Sequence, residues 1–125
     1  MLWLAVAFGG ALGAMARFGL THYWLPVNAK MFPWGTLTAN VIGSLLMGIC
    51  YVVLLEKPWL AEHWRPLLMT GFLGAFTTYS AFALESFLLW QQGAITYAII
   101  YSLVSVCSCI FAVVISIYIT TQFYH

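Results

Sequence analysis

Four long apolar runs, each close to the length of a bilayer crossing, leave this chain little choice of fold. A spanning helix needs about 20 mainly apolar residues, and segments from about Leu2 to Leu20, Trp34 to Leu55, Leu67 to Trp90 and Ala94 to Ile119 supply them. Of 125 residues, 64% are hydrophobic and only 6% are charged, whereas roughly a quarter are charged in a soluble domain. The expectation is an all-α membrane protein, a single four-helix transmembrane domain over residues 1–125. A formal net charge of +1 offers no basic face for nucleic acid and no polybasic patch for a lipid surface.

The punctuation between the runs is short. Thr21, His22, Tyr23 and Trp24 suit the headgroup level after the first run, and Pro26, Asn28, Lys30 and Pro33 read as a loop. Glu56, Lys57 and Pro58 end the second run. Trp59, Glu62, His63, Trp64, Arg65 and Pro66 form a short connection to the third, Gln91, Gln92 and Gly93 make a tight turn, and Thr120 to His125 is a tail. The first run leads to Ala14-Met15-Ala16, a small-x-small site, but no Lys or Arg precedes it as a signal peptide requires, so no cleavage is expected. Cys50, Cys107 and Cys109 are odd in number and lie within apolar runs. They lack a zinc spacing and read as small helix residues.

One stretch in the third run is out of character for a lipid-facing helix. Gly71 to Ser86, GFLGAFTTYSAFALES, combines two glycines, paired threonines, aromatics and a carboxylate. Backbone groups at membrane depth must be satisfied, so this composition predicts a helix broken where it is buried in protein or lines water. A break presents amide donors at the start of one half and carbonyl acceptors at the end of the other. Such ends hold ions in transporters and channels. A small ion channel built on this break is the expectation.

The remaining runs carry aligned polar residues. In the second, Thr36, Asn40, Ser44 and Gly48 recur every four residues and share a stripe. An amide at this depth needs partners, so Asn40 faces the bundle interior, either as glue between helices or as the wall of a pathway. In the fourth, Ser102, Ser105, Cys109 and Ser116 align, with Tyr101 one turn before Ser105. In the first, Gly9, Gly10, Gly13 and Ala14 make a close-packing face. Arg17 either snorkels to the interface or faces an aqueous vestibule where it draws in an anion. After the break, Thr78, Phe82, Glu85 and Leu89 fall on one face, with Tyr79 three before Phe82, and Glu85 is by default a functional residue.

Charge does not fix an orientation. With four crossings, Lys57 and Arg65 lie on one side and Arg17 and Lys30 on the other, a balance that leaves no positive-inside bias. Copies are expected to insert both ways and to pair with inverted copies.

GGALGAMAR from Gly9 to Arg17, WGTLTANVIGS from Trp34 to Ser44 and the Gly71 to Ser86 stretch occur in order on three helices. With these motifs the chain resembles the CrcB (Fluc) family of fluoride-exporting channels over essentially its whole length. The resemblance implies an antiparallel, dual-topology homodimer of four-helix subunits in a bacterial-type plasma (inner) membrane. It implies two fluoride pores and one structural sodium ion (Na+) at the dimer centre, held by backbone carbonyls of Gly74 and Thr77. Asn40 and Phe82 line the pore in that picture, with Phe82 in an aromatic box. Tyr101 and Ser105 belong to a polar track, and Arg17 and Glu85 lie near the vestibules. Where the family has TTFSTF this chain has TTYSAF, so Tyr79 and Ala81 depart from the pattern, as does Cys109 where a hydroxyl is expected.

Fluoride is small and strongly hydrated, so a pore must replace its water with donors that also release it. Asn40, Ser105, Tyr101 and Tyr79 offer neutral donors, and Phe82 offers a ring edge. Two other readings remain. A proton-coupled exporter of the small multidrug type needs a carboxylate deep in the first run, which has none. A non-transporting assembly subunit leaves the polar stripes without a purpose. An enzyme is not expected, since His22, His63 and His125 are scattered and no nucleophile–base pair appears.

Overall fold

A computed structural model describes residues 1–24 and 32–125. The loop residues Pro26, Asn28 and Lys30 of the sequence reading lie outside those ranges. The described residues form four helices long and apolar enough to cross a membrane, Leu2–Tyr23, Trp34–Glu56, Pro58–Gln91 and Ile95–Gln122. The protein is a multi-pass integral membrane protein.

Helix α1 (Leu2–Gly19) widens at its end into a π-helical turn, Leu20–Trp24. Helix α2 is Trp34–Glu56. The third crossing is assembled from pieces: α3 (Pro58–Trp64), a π-helical stretch Arg65–Leu73, α4 (Gly74–Phe76) and α5 (Tyr79–Gln91). Helix α6 is Ile95–Gln122. The connection read from Trp59 to Pro66 as a link between crossings is therefore helical and begins the third of them. Pro58 sits in the first turn of α3, where its missing N–H costs nothing. Pro66 opens the wide π-helical stretch, at a point where its ring and absent N–H disfavour a tight α turn.

Backbone contact joins α1 to the third crossing. A Cβ on Gly9 would collide with the Leu67 carbonyl, one on Gly13 with the Phe72 carbonyl, and one on Gly71 would lie 2.8 Å from the Val6 carbonyl. The glycines read as a packing face are thus reciprocal, each helix lending room to the other's backbone.

Helices α2 and α6 run parallel and in register. At one end Thr36 and Tyr101 meet at a shared partner, Glu85. At the other, a Cβ on Gly48 would press on the Val113 carbonyl at 2.8 Å. The α2 stripe Thr36, Asn40, Ser44, Gly48 therefore runs beside the α6 residues Tyr101, Ser105, Cys109, Val113 and Ser116. Below them Leu37, Phe82, Leu89, Ala98 and Tyr101 form one apolar cluster.

The turn between α5 and α6 is tight, as its sequence requires. The Ala94 N–H reaches the Leu89 carbonyl and the Gly93 N–H reaches that of Trp90, both at 3.0 Å. This pairing ends a helix when the intervening residue is left-handed, and Gly93 has φ 80°.

Candidate functional site

Two residues of the third crossing are extended: Thr77 has φ −81°, ψ 157° and Thr78 has φ −151°, ψ 117°. In an uninterrupted helix the Thr78 N–H would donate to the carbonyl of Gly74, four residues back. It donates instead to Asn40 Oδ1 at 2.7 Å, while Asn40 Nδ2 donates to the Thr78 carbonyl at 3.1 Å. One amide side chain from α2 thus satisfies both backbone groups of the displaced residue. Arg17 Nε donates to the Ala75 carbonyl at 3.1 Å, setting a cation at the carbonyl end of the first half. The second half is capped by Thr78, whose Oγ1 accepts the Ala81 N–H at 3.2 Å.

Beside these residues α2, α5 and α6 enclose a groove of about 370 Å³, lined at one end by Asn40, Thr78, Tyr79, Phe82 and Ser105. Towards the other end the walls are Ser44, Met47, Cys109 and Val113. Gly43 makes room for the interruption, since a Cβ there would collide with Thr77 Cγ2. Phe82 packs 5.4 Å, centroid to centroid, from both Tyr79 and Tyr101. Tyr79 is 78% exposed.

Ser105 is 5% exposed, and its Oγ has no hydrogen-bond partner among the described residues. A buried hydroxyl left unpaired costs about 1–3 kcal/mol. Most other serine hydroxyls in the crossings bond back to their own helix, as Ser86 does to Phe82 O and Ser116 to Val113 O. Ser105 is thus an orphaned donor on the wall of a groove that also holds the start of α5, where backbone N–H groups and the helix dipole favour negative charge.

Next to the groove lies a carboxylate. Glu85 Oε1 accepts from Thr36 Oγ1 and Oε2 from Tyr101 Oη, both at 2.7 Å. Tyr101 is fully buried, and its only proton is donated to Glu85. The network ties α5 to α2 and α6 one layer from Asn40 and Ser105.

Of the pore residues expected from sequence, Asn40, Tyr79, Phe82 and Ser105 line one groove, and Tyr101 stands behind it against Phe82 and Glu85. Of the two residues expected near vestibules, Arg17 holds the Ala75 carbonyl and Glu85 joins three helices. Thr77 is one of the two extended residues, and Gly74 lies three residues before it. Sequence reasoning missed the pairing of Asn40 with Thr78, the bond from Thr36 to Glu85 and the place of Met47 in the groove wall. Only the four-residue α2 stripe, which contains Thr36 and Asn40, signalled the first two.

The sequence matches the model of the family described as CrcB-like protein, Camphor Resistance (CrcB), over residues 4–117. A fluoride-specific ion channel FluC of Saccharophagus degradans is 54% identical over 122 residues, covering 98% of this chain and 91% of its own. Proteins of the same name from Hahella chejuensis and Hydrogenovibrio crunogenus are 44% and 41% identical. They cover 92% and 97% of this chain and 91% and 92% of their own. With the match spanning all four crossings and the groove between them, the chain belongs to the CrcB-like family.

Proposed function

We propose that this protein is a fluoride-selective channel that lets fluoride leave the cell passively across a bacterial inner membrane. The observation that carries the reading is the Ser105 hydroxyl, buried, unpartnered and set in a groove with neutral donors on its walls. Asn40 spends one N–H on Thr78 and keeps the second. The edge of the Phe82 ring and the amide end of α5 add partial positive charge without a fixed cation. Neutral donors replace the water around a small anion and still let it go, which conduction requires. Tyr79 adds a ring and a hydroxyl at the groove's exposed side. Tyr101 acts from behind, holding Glu85 and backing Phe82. Relatives named as fluoride-specific channels match the chain almost end to end, which supports fluoride as the anion.

The assembly we propose is two inverted copies meeting at the extended Thr77–Thr78 segment, read as a break in the third crossing. Diversion of the Thr78 N–H to Asn40 frees the Gly74 carbonyl from its helical donor, and the Thr77 carbonyl follows three residues later. Neutral carbonyl oxygens suit a hard cation of low charge. A sodium ion shared between these carbonyls of both copies would add positive potential and hold the subunits together. Balanced loop charges support insertion in both orientations.

Fluoride efflux from liposomes loaded with potassium fluoride tests the function. Efflux that follows the imposed voltage and ignores added chloride is expected. Movement that appears only with a proton gradient would make the protein a coupled exporter, and no movement would leave an assembly subunit. A C-terminal reporter accessible from only one side of the membrane in cells would exclude dual insertion.

A further inference from the structure

The groove changes character along its length. Asn40 and Ser105 line it near the start of α5, whereas one turn further along α6 the lining residue is Cys109, and Met47 of α2 lines the same groove. A thiol and a thioether thus share one wall region of a cavity that contains the unpartnered Ser105 hydroxyl. That hydroxyl is buried beside the groove without a hydrogen-bond partner among the described residues, and such a donor is costly until something pairs with it. Cys109 is half-buried, whereas Cys107 is exposed on another face of α6, and neither Cys107 nor Cys50 lines the groove.

We propose that Cys109 and Met47 make the groove a binding site for thiophilic d10 cations such as Hg2+ and that an occupied site blocks the passage of anions. Thiolate and thioether sulfurs are soft ligands that favour such ions over hard ones. With mercuric chloride the Cys109 S–H bond breaks and a sulfur–mercury bond forms. The proton passes to water and one chloride leaves mercury, with no change in oxidation state. The mercury stays where α2 and α6 are in register, one turn from Asn40 and Ser105, and obstructs the path. Blockage rests on the groove being the anion path proposed above. Binding of the metal does not.

The test uses the full-length protein in liposomes, with each variant's fluoride efflux compared before and after micromolar mercuric chloride. The wild type and the Cys50→Ser/Cys107→Ser double variant are expected to lose about tenfold or more of their flux, as a narrow pore obstructed by a bound ion does. Dithiothreitol restores the flux. Cys109→Ser keeps its own untreated rate, and its intact mass shows one mercury adduct fewer than the wild type. Met47→Leu is blocked but recovers faster on washing. Equal block of Cys109→Ser and wild type, or no adduct at Cys109, would overturn the proposal. An adduct at Cys109 without block would overturn it too. Absence of flux from the untreated wild type would instead count against the channel reading itself.

Discussion

Asn40 grips Thr78 from both sides: its Oδ1 accepts the Thr78 N–H at 2.7 Å and its Nδ2 donates to the Thr78 carbonyl at 3.1 Å. By pairing both backbone groups of Thr78, Asn40 lets the chain be extended at that residue at membrane depth, where an irregular backbone survives only when its polar groups are met. Asn40 is therefore at once structural and part of the groove wall.

That double role predicts a double loss. Asn40→Ala leaves two backbone groups unpaired, a cost of about 1–3 kcal/mol for each. A lower midpoint of thermal unfolding in detergent and weaker fluoride flux are both expected. Asn40→Asp keeps the acceptor for the Thr78 N–H but loses the donor and places a fixed negative charge in an anion path. Its flux should fall further than its stability.

Ser105 should behave in the opposite way. Its hydroxyl has no partner among the described residues, so Ser105→Ala removes no protein hydrogen bond and should leave stability within about 0.5 kcal/mol. Fluoride flux should fall by about tenfold, the order of one lost donor of about 1.4 kcal/mol. Ser105→Thr, which keeps the hydroxyl, should recover part of the flux. Thermal unfolding and liposome efflux on the same preparations separate the two effects.

The carboxylate behind the groove has a different signature. Tyr101→Phe leaves Glu85 with one of its two hydroxyl donors, and leaving a buried polar group unpaired costs about 1–3 kcal/mol. Because Tyr101 also backs Phe82 at 5.4 Å, its loss should lower both stability and flux. Thr36→Val removes the other donor but no ring from behind Phe82, and should lower stability with a smaller effect on flux. Chemical or thermal unfolding together with efflux checks the order.

Close packing of α1 predicts a purely structural failure. Gly13→Ala drives a methyl into the Phe72 backbone, which cannot move as a side-chain tip could. Overpacking of this kind costs about 1–3 kcal/mol. Size-exclusion profiles and unfolding midpoints should deteriorate, whereas Gly19→Ala, with nothing within 4 Å of its added Cβ, should be silent.

Much of this was legible in the chain. Apolar length alone located the four crossings, because bilayer thickness fixes it. The four-residue repeat identified the stripe on α2, and Gly93 marked the turn between α5 and α6; on α6 the expected alignment held for Ser105 and Cys109, which line the groove, whereas Ser102 turns to Ser86. The connection from Trp59 to Pro66 was not legible as helix. Glu62, His63 and Arg65 look like loop residues when the only criterion is apolarity, and a short helix needs no apolar run. Nor could local pattern reveal the partners of Glu85, since Thr36 lies 49 residues away and Tyr101 lies 16 away. A polar residue at depth announces that it needs a partner, but packing chooses which one. Arg17 illustrates the same limit: its bond to the Ala75 carbonyl joins residues 58 apart.

The most direct measurement is the reversal potential of the purified protein in a planar bilayer, with unequal fluoride on the two sides, chloride making up the balance, and equal pH. If neutral donors around Ser105 and Asn40 strip and pass a small anion, current should reverse close to the fluoride equilibrium potential and stay there when pH is changed on one side. Reversal that follows the proton gradient, equal passage of chloride, or no current from a correctly folded preparation would contradict the account.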